Sequence, residues 1–166
     1  GGPRALVLVG SPSLPWPGKL DPWYRLTSTA AGRAVAIPLA SAFVPETYVR
    51  SAIDAVFAPD PVPAGYEDWL GTPLTLQRSA LRANTAQVNA LRDELVAMEP
   101  RYASLSLPVE LIHGTADTIV PLDIHSRPLS RLLPNVTLTI IDGAGHMPHH
   151  SRPETIIAAL DRAALR

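Results

Sequence analysis

VELIHGTADTIVP, residues 109–121, passes from an apolar run through a glycine into a segment that carries an acid. Val109–His113 has the length and the β-branched content of a strand, Gly114 permits a sharp turn, and Asp117 follows four residues beyond His113. A carboxylate placed there projects over the carboxyl edge of a sheet. The pattern recurs with a different residue in TIIDGAGHMPHH, 139–150. A second strand, Val136–Ile141, ends there, Gly143 and Gly145 leave the loop free in φ, and His146 arrives five residues past Ile141. In parallel neighbouring strands the two loops open on the same edge, so Asp117 and His146 can meet. A buried carboxylate bonded to an imidazole fixes its tautomer and stabilises the imidazolium that forms when the ring takes a proton.

Working outward, Arg4–Val9 is a third short aliphatic run, closed by Gly10 and Pro12. Apolar on both faces, it has the character of a parallel strand covered by helices on both sides. Residues 11–105 differ: prolines recur, aromatic residues appear at Trp16, Trp23, Tyr24, Tyr48, Tyr66, Trp69 and Tyr102, and no strand is visible, so a largely helical insert is expected. Within it Glu46–Phe57 follows Pro45 and reads as a helix, while APDPVPAGY, 58–66, reads as a stiff linker. From Thr75 to Met98 the residues Leu81, Val88, Leu91, Leu95 and Met98 recur on one helical face, a stripe that Asn84 interrupts. Buried without partners Asn84 would be costly, so it either bonds within the insert or faces a wet cavity. Pro121–Leu133 reads as a helix kinked at Pro128. Ser151-Arg-Pro-Glu154 has the spacing of a capping box opening a helix over Thr155–Leu165. Strands alternating with helices imply an α/β fold with a parallel sheet and a ligand site beyond the strands' carboxyl ends.

Composition narrows the function. Fourteen Lys plus Arg against 15 Asp plus Glu give a net charge of −1, and the basic residues are scattered, so neither nucleic acid nor an anionic membrane surface is an expected partner. Without cysteine there are no disulfides and no thiolate metal sites. His149 and His150 adjoin His146, but adjacent histidines in an extended loop point apart and no carboxylate supplies a zinc-site spacing, so neither metal nor cofactor is expected. No run approaches the roughly 20 apolar residues of a membrane-spanning helix, and a soluble, cytoplasmic protein is the expectation. The opening GGPRALVLVG enters a strand almost at once, with no initiating Met, and reads as the middle of a longer sequence.

The two motifs together resemble the C-terminal part of the α/β-hydrolase-fold superfamily. In that family the acid follows the seventh strand in a G-x-x-D-x-x-x-P setting, here Gly114 to Pro121, and the histidine follows the eighth in G-x-G-H-x-P, here Gly143 to Pro148. The resemblance implies that Arg4–Val9 is the sixth strand, that 1–10 and 106–166 form the end of the hydrolase core, and that 11–105 is a helical lid. It implies His146 as general base and Asp117 as its orienter, preferred over Asp123, which lies inside the expected helix. The family's G-x-S-x-G nucleophile elbow is missing, and GSPSLP, with Ser11 and Ser13, runs into prolines instead of a helix and does not replace it. An upstream serine would make the parent protein an esterase-like hydrolase of a small apolar acyl substrate, with Trp16, Trp23, Tyr24, Trp69 and Asn84 as candidate substrate contacts. An upstream aspartate would instead give a haloalkane dehalogenase or an epoxide hydrolase. The alternative of a different class is a non-catalytic fragment or interaction module, whose first strand offers an edge to the N-terminal half of the fold. His113 and His125 are expected to be structural.

Overall fold

The structure, a computed structural model, describes residues 2–165. Three parallel strands, β1 (Leu6–Val9), β2 (Val109–Gly114) and β3 (Val136–Ile141), form one sheet in the order β1-β2-β3. The register sets Leu6 opposite Val109 and Val109 opposite Val136. β2, flanked by both other strands, is buried along its whole length, whereas β1 and β3 are mostly half-buried.

Alternation along the strands divides the sheet's apolar residues between its faces. Leu6, Leu8, Val109, Leu111, Val136 and Leu138 pack with Leu129 and Leu133 and with Leu14, Tyr102 and Leu105. Leu129 belongs to a short helix, α7 (Ser126–Leu132), between β2 and β3. The C-terminal helix α9 (Pro153–Ala164) packs against β1 and β2, and its Arg162 donates two hydrogen bonds to Glu110 Oε2 at 3.1 and 2.8 Å. That contact explains how a carboxylate lies 1% exposed in the central strand.

Between β1 and β2 the chain is helical: α1 (Pro22–Thr27), α2 (Ala30–Phe43), α3 (Glu46–Phe57), α4 (Tyr66–Leu70), α5 (Thr72–Thr75), α6 (Arg78–Met98) and a 3-10 turn over Glu99–Ser104. The chain separates into two compact units. One comprises the chain up to Trp16, Ala55–Pro61 and the chain from Leu95 onward; the other comprises Pro17–Asp54 and Val62–Glu94. The short segment Ala55–Pro61 thus clusters with the sheet although its sequence neighbours on both sides do not.

Several local expectations are corrected. The helix expected over Pro121–Leu133 starts only at Ser126, and Pro128 sits in its first turn, where a missing N–H breaks no ladder bond, so there is no kink to explain. Ser151 does not cap α9: it ends the short helix α8 (Pro148–Ser151), its buried Oγ has no hydrogen-bond partner, and the residue before α9 is Arg152. In α6 the buried polar residue on the apolar stripe is Thr85, fully enclosed, while Asn84 is exposed. Thr85 is tolerated there because its hydroxyl bonds back to the Arg82 carbonyl at 3.2 Å.

Candidate active site

The carboxyl ends of β2 and β3 carry the two loops that the motifs mark, and the backbone ties these loops together. Thr115 N–H donates to the Ile141 carbonyl and Ala116 N–H to the Ala144 carbonyl, each at 3.0 Å. Thr115 Oγ1 accepts from Gly143 N–H at 2.8 Å and donates to Asp142 Oδ1 at 3.1 Å. Gly114 has to be glycine, because a Cβ there would collide with the Ala144 carbonyl.

So held, Asp117 Oδ2 and His146 Nδ1 lie 2.9 Å apart. Asp117 Oδ1 accepts from Ile119 N–H at 3.0 Å and Val120 N–H at 2.8 Å, which locks the side chain across its own turn. The carboxylate is fully enclosed, whereas 22% of the His146 side chain meets solvent. A carboxylate only accepts, so Nδ1 carries the hydrogen and Nε2 presents the lone pair. Nε2 has no hydrogen-bond partner among the described residues. Burial alone would raise the Asp117 pKa, yet hydrogen bonds from His113, His146 and Val120 outweigh it and hold the carboxyl well below the usual range.

Two neighbours shape the His146 loop. Gly10 closes β1 with φ 53°, and a Cβ added to it would stand 3.2 Å from the His146 carbonyl, 3.4 Å from Nδ1 and 3.5 Å from Asp117 Oδ2. From the other segment of this unit, Asp60 accepts from Gly145 N–H at 3.4 Å and lies 3.6 Å from Arg152, while the Phe57 and His150 rings pack with centroids 5.3 Å apart.

Other residues singled out in the sequence fall elsewhere. Asp123 lies in the turn before α7, not inside a helix, and pairs with Arg127 on the surface. His149 and His150 lie side by side in α8, their rings tilted by 46° with centroids 4.5 Å apart, and no group of metal-binding side chains occurs among the described residues. Burial, then His150 and His146, pull the His149 pKa below that of an ordinary histidine. Ser13 is buried; its N–H points to His125 Nδ1, its carbonyl accepts from Tyr102 Oη at 2.7 Å, and its Oγ has no partner. Trp16 sets an edge against His125, with centroids 6.4 Å apart.

The remaining candidate contacts belong to the second unit. Trp23 lines an apolar groove of about 420 Å³ with Leu39, Phe43 and Tyr48. Tyr24 Oη donates to Asn84 Oδ1 at 3.2 Å, so Asn84 bonds within the insert. Trp69, 78% exposed, packs its ring on Tyr66.

His113, expected to be structural, also contacts the acid. His113, wholly buried at the end of β2, lies with Nε2 3.1 Å from Asp117 Oδ2. The signal was available: an ionisable ring at the end of a central strand must find buried partners.

A parallel α/β sheet with an acid and a histidine on successive strand ends is the C-terminal architecture of α/β hydrolases. Comparison with known proteins agrees: the profile of the alpha/beta hydrolase family matches residues 1–159, and the chain belongs to that family. Among solved structures it resembles the 2-hydroxy-6-oxo-6-phenylhexa-2,4-dienoate hydrolase of Rhodococcus sp. strain RHA1, with TM-score 0.73, 22% identity, and coverage of 98% of this chain and 56% of that one. An esterase from Exiguobacterium antarcticum superposes with TM-score 0.65 at 15% identity over 97% of this chain and 57% of its own. At such identities the likeness shows the fold. An uncharacterised protein of Mycobacterium tuberculosis is 33% identical over 72 residues, which are 43% of this chain and 21% of that protein. The chain thus spans little more than half of the solved hydrolases it resembles. No helix among the described residues is long and apolar enough to cross a membrane.

Proposed function

We propose that this chain supplies the acid and the histidine of a Ser-His-Asp triad that hydrolyses carboxylic esters or related acyl compounds, with the serine on the polypeptide preceding β1. The observation that carries the reading is the 2.9 Å contact between His146 Nδ1 and an enclosed, ionised Asp117, with Nε2 left unengaged on a side chain partly open to solvent. In the first half-reaction Nε2 takes the serine proton as the oxygen attacks the acyl carbon, and the imidazolium returns that proton to the departing alcohol. In the second, Nε2 takes a proton from water, the hydroxide oxygen attacks the acyl-enzyme, and the serine leaves reprotonated. Asp117 keeps its charge throughout and holds the tautomer that presents Nε2.

The N-terminal half is the partner this reading requires. Among the described residues β1 is paired along one edge only, to β2, and Leu6 and Leu8 line an apolar groove of about 460 Å³ with Tyr102, Leu105, Leu129 and Leu133. The substrate is a small apolar acyl compound, a reading supported by the aromatic residues of the insert and the groove beside Trp23.

Turnover of p-nitrophenyl acetate by the full-length protein tests the assignment. His146→Ala is expected to lower kcat by about 10³-fold or more, and Asp117→Asn by a comparable factor, with KM little changed. Ester hydrolysis that survives His146→Ala in the folded protein would overturn it.

A further inference from the structure

Among the described residues His113 is the one fully buried ionisable ring that the proposed triad leaves without a task. Its Nε2 lies 2.7 Å from the Val120 carbonyl and 3.1 Å from Asp117 Oδ2, and its Nδ1 lies 2.7 Å from Ser126 Oγ. A carbonyl and a carboxylate only accept, so Nε2 must carry a hydrogen, shared between the two, and the Ser126 hydroxyl satisfies the opposite nitrogen. Asp117 Oδ2 therefore lies within reach of two imidazole nitrogens: His146 Nδ1, which bonds it at 2.9 Å, and His113 Nε2 at 3.1 Å, whose hydrogen also serves the nearer Val120 carbonyl.

We infer that His113 is a second histidine on the acid, a positioning residue that holds Asp117 Oδ2 opposite His146 and weakens that oxygen as an acceptor, so that it tunes how strongly the acid supports a protonated His146. The inference rests on the proposed roles of His146 and Asp117, and adds a residue that acts only through Asp117. The physical reason is competition. Each donor on one oxygen draws on the same electron density, and a carboxylate that serves two rings is a weaker base towards either one.

Packing alone does not require this arrangement. A leucine would fill most of the same space, but would leave Asp117 Oδ2 with a single ring. The charged and titratable groups around the carboxylate are then His113 on β2, His146 on the loop after β3 and His125 just before α7; His149 lies next beyond His146. His125 interacts with Asp117 only through space, and its Nδ1 is taken up by Ser13 and Leu14. His113 is thus the only one of these besides His146 with a nitrogen within hydrogen-bond distance of the acid.

Two measurements on the full-length protein test the inference. The first needs no variant: the long-range ¹H–¹⁵N spectrum of the histidine rings at pH 7 should show His113 with a hydrogen on Nε2. A ring protonated on Nδ1 alone has nothing to give Asp117, and that result overturns the proposal. The second compares His113→Leu with His113→Gln, whose amide nitrogen can occupy nearly the position of Nε2. In the leucine variant the acid limb of the kcat/KM profile for p-nitrophenyl acetate is expected to move to higher pH by roughly half a unit or more, because the freed carboxylate stabilises the imidazolium and delays its deprotonation. The Asp117 carboxyl ¹³C signal should begin to titrate at higher pH than in the wild type, where His113 helps to keep it ionised. Glutamine should restore both readouts most of the way. A leucine variant that folds with an unshifted acid limb, or a glutamine variant that shifts as far as leucine, overturns the proposal. The failure of the triad reading is distinct, since it appears as absent ester turnover while the His113 tautomer and the Asp117 titration behave as described.

Discussion

Asp117 is reached by donors from three directions: the N–H groups of Ile119 and Val120, His113 beneath, and His146 above. The sequence made Asp117 and His146 legible because each follows a strand end at a fixed distance and a glycine precedes each. It reads His113 only as structural and Gly10 only as the close of a strand, since neither spacing nor periodicity reveals which buried group touches which. Gly10 shows what such a contact demands. Its φ of 53° lies in the left-handed region, and its missing Cβ leaves space beside the His146 carbonyl and Nδ1. Gly10→Ala is expected to cost about 1–2 kcal/mol from the backbone alone. The new methyl, 3.2 Å from the His146 carbonyl, would also press on the backbone that carries the ring, so kcat is expected to fall along with stability. Urea unfolding and ester turnover of the same preparation check both; an unchanged kcat beside lowered stability would separate Gly10 from the site.

At the scale of elements, β2 and β3 were legible as strands because their apolar runs end at turn signals, and α6 because its apolar residues repeat at helical spacing. The segment Pro121–His125 was misread as helix. Just ahead of it the Asp117 side chain bonds Ile119 and Val120 N–H, and within it the Pro121 carbonyl accepts from Ile124 and His125 N–H, so local turns occupy this stretch before α7 begins. His125 at that junction does structural work across elements: Nδ1 accepts from Ser13 and Leu14 N–H, both at 3.3 Å, and so pins the chain after β1 to the start of α7. Burial, then His113, pull the His125 pKa below its ordinary value, against a smaller opposing pull from Asp117. As pH falls through about 6.5 the unfolded chain takes the proton first. The stability from a neutral His125 is therefore full above that pH and declines as pH drops toward the folded pKa, by at most about 1.4 kcal/mol per unit. His125→Asn keeps an acceptor near Nδ1 but does not titrate. Between pH 7.5 and 5.5 the variant's urea midpoint is expected to fall less than the wild type's; equal losses would show that this ring's protonation is not coupled to folding.

At the scale of the whole molecule, the sheet's outer edge on β1 decides whether the proposed partner exists. Leu6 N–H bonds the Pro108 carbonyl and Gly10 N–H the Ile112 carbonyl, so alternation turns the peptide groups of Val7 and Val9 away from β2. If the preceding half of the hydrolase pairs with β1, the Val7 N–H is a ladder donor in the full-length protein; if that edge is open, it faces water. Proline at position 7 removes that N–H and leaves the ladder to β2 without a lost bond. Val7→Ala controls for the truncated side chain. In the full-length protein Val7→Pro is expected to be about 1–3 kcal/mol less stable than Val7→Ala, the cost of a buried strand carbonyl left without its donor, and to lose ester turnover in step as the nucleophile's strand shifts. Chemical denaturation of the two variants side by side makes the comparison. Equal stabilities would mean that no strand lies against β1, and with it the serine proposed for His146 would lose its place in the sheet.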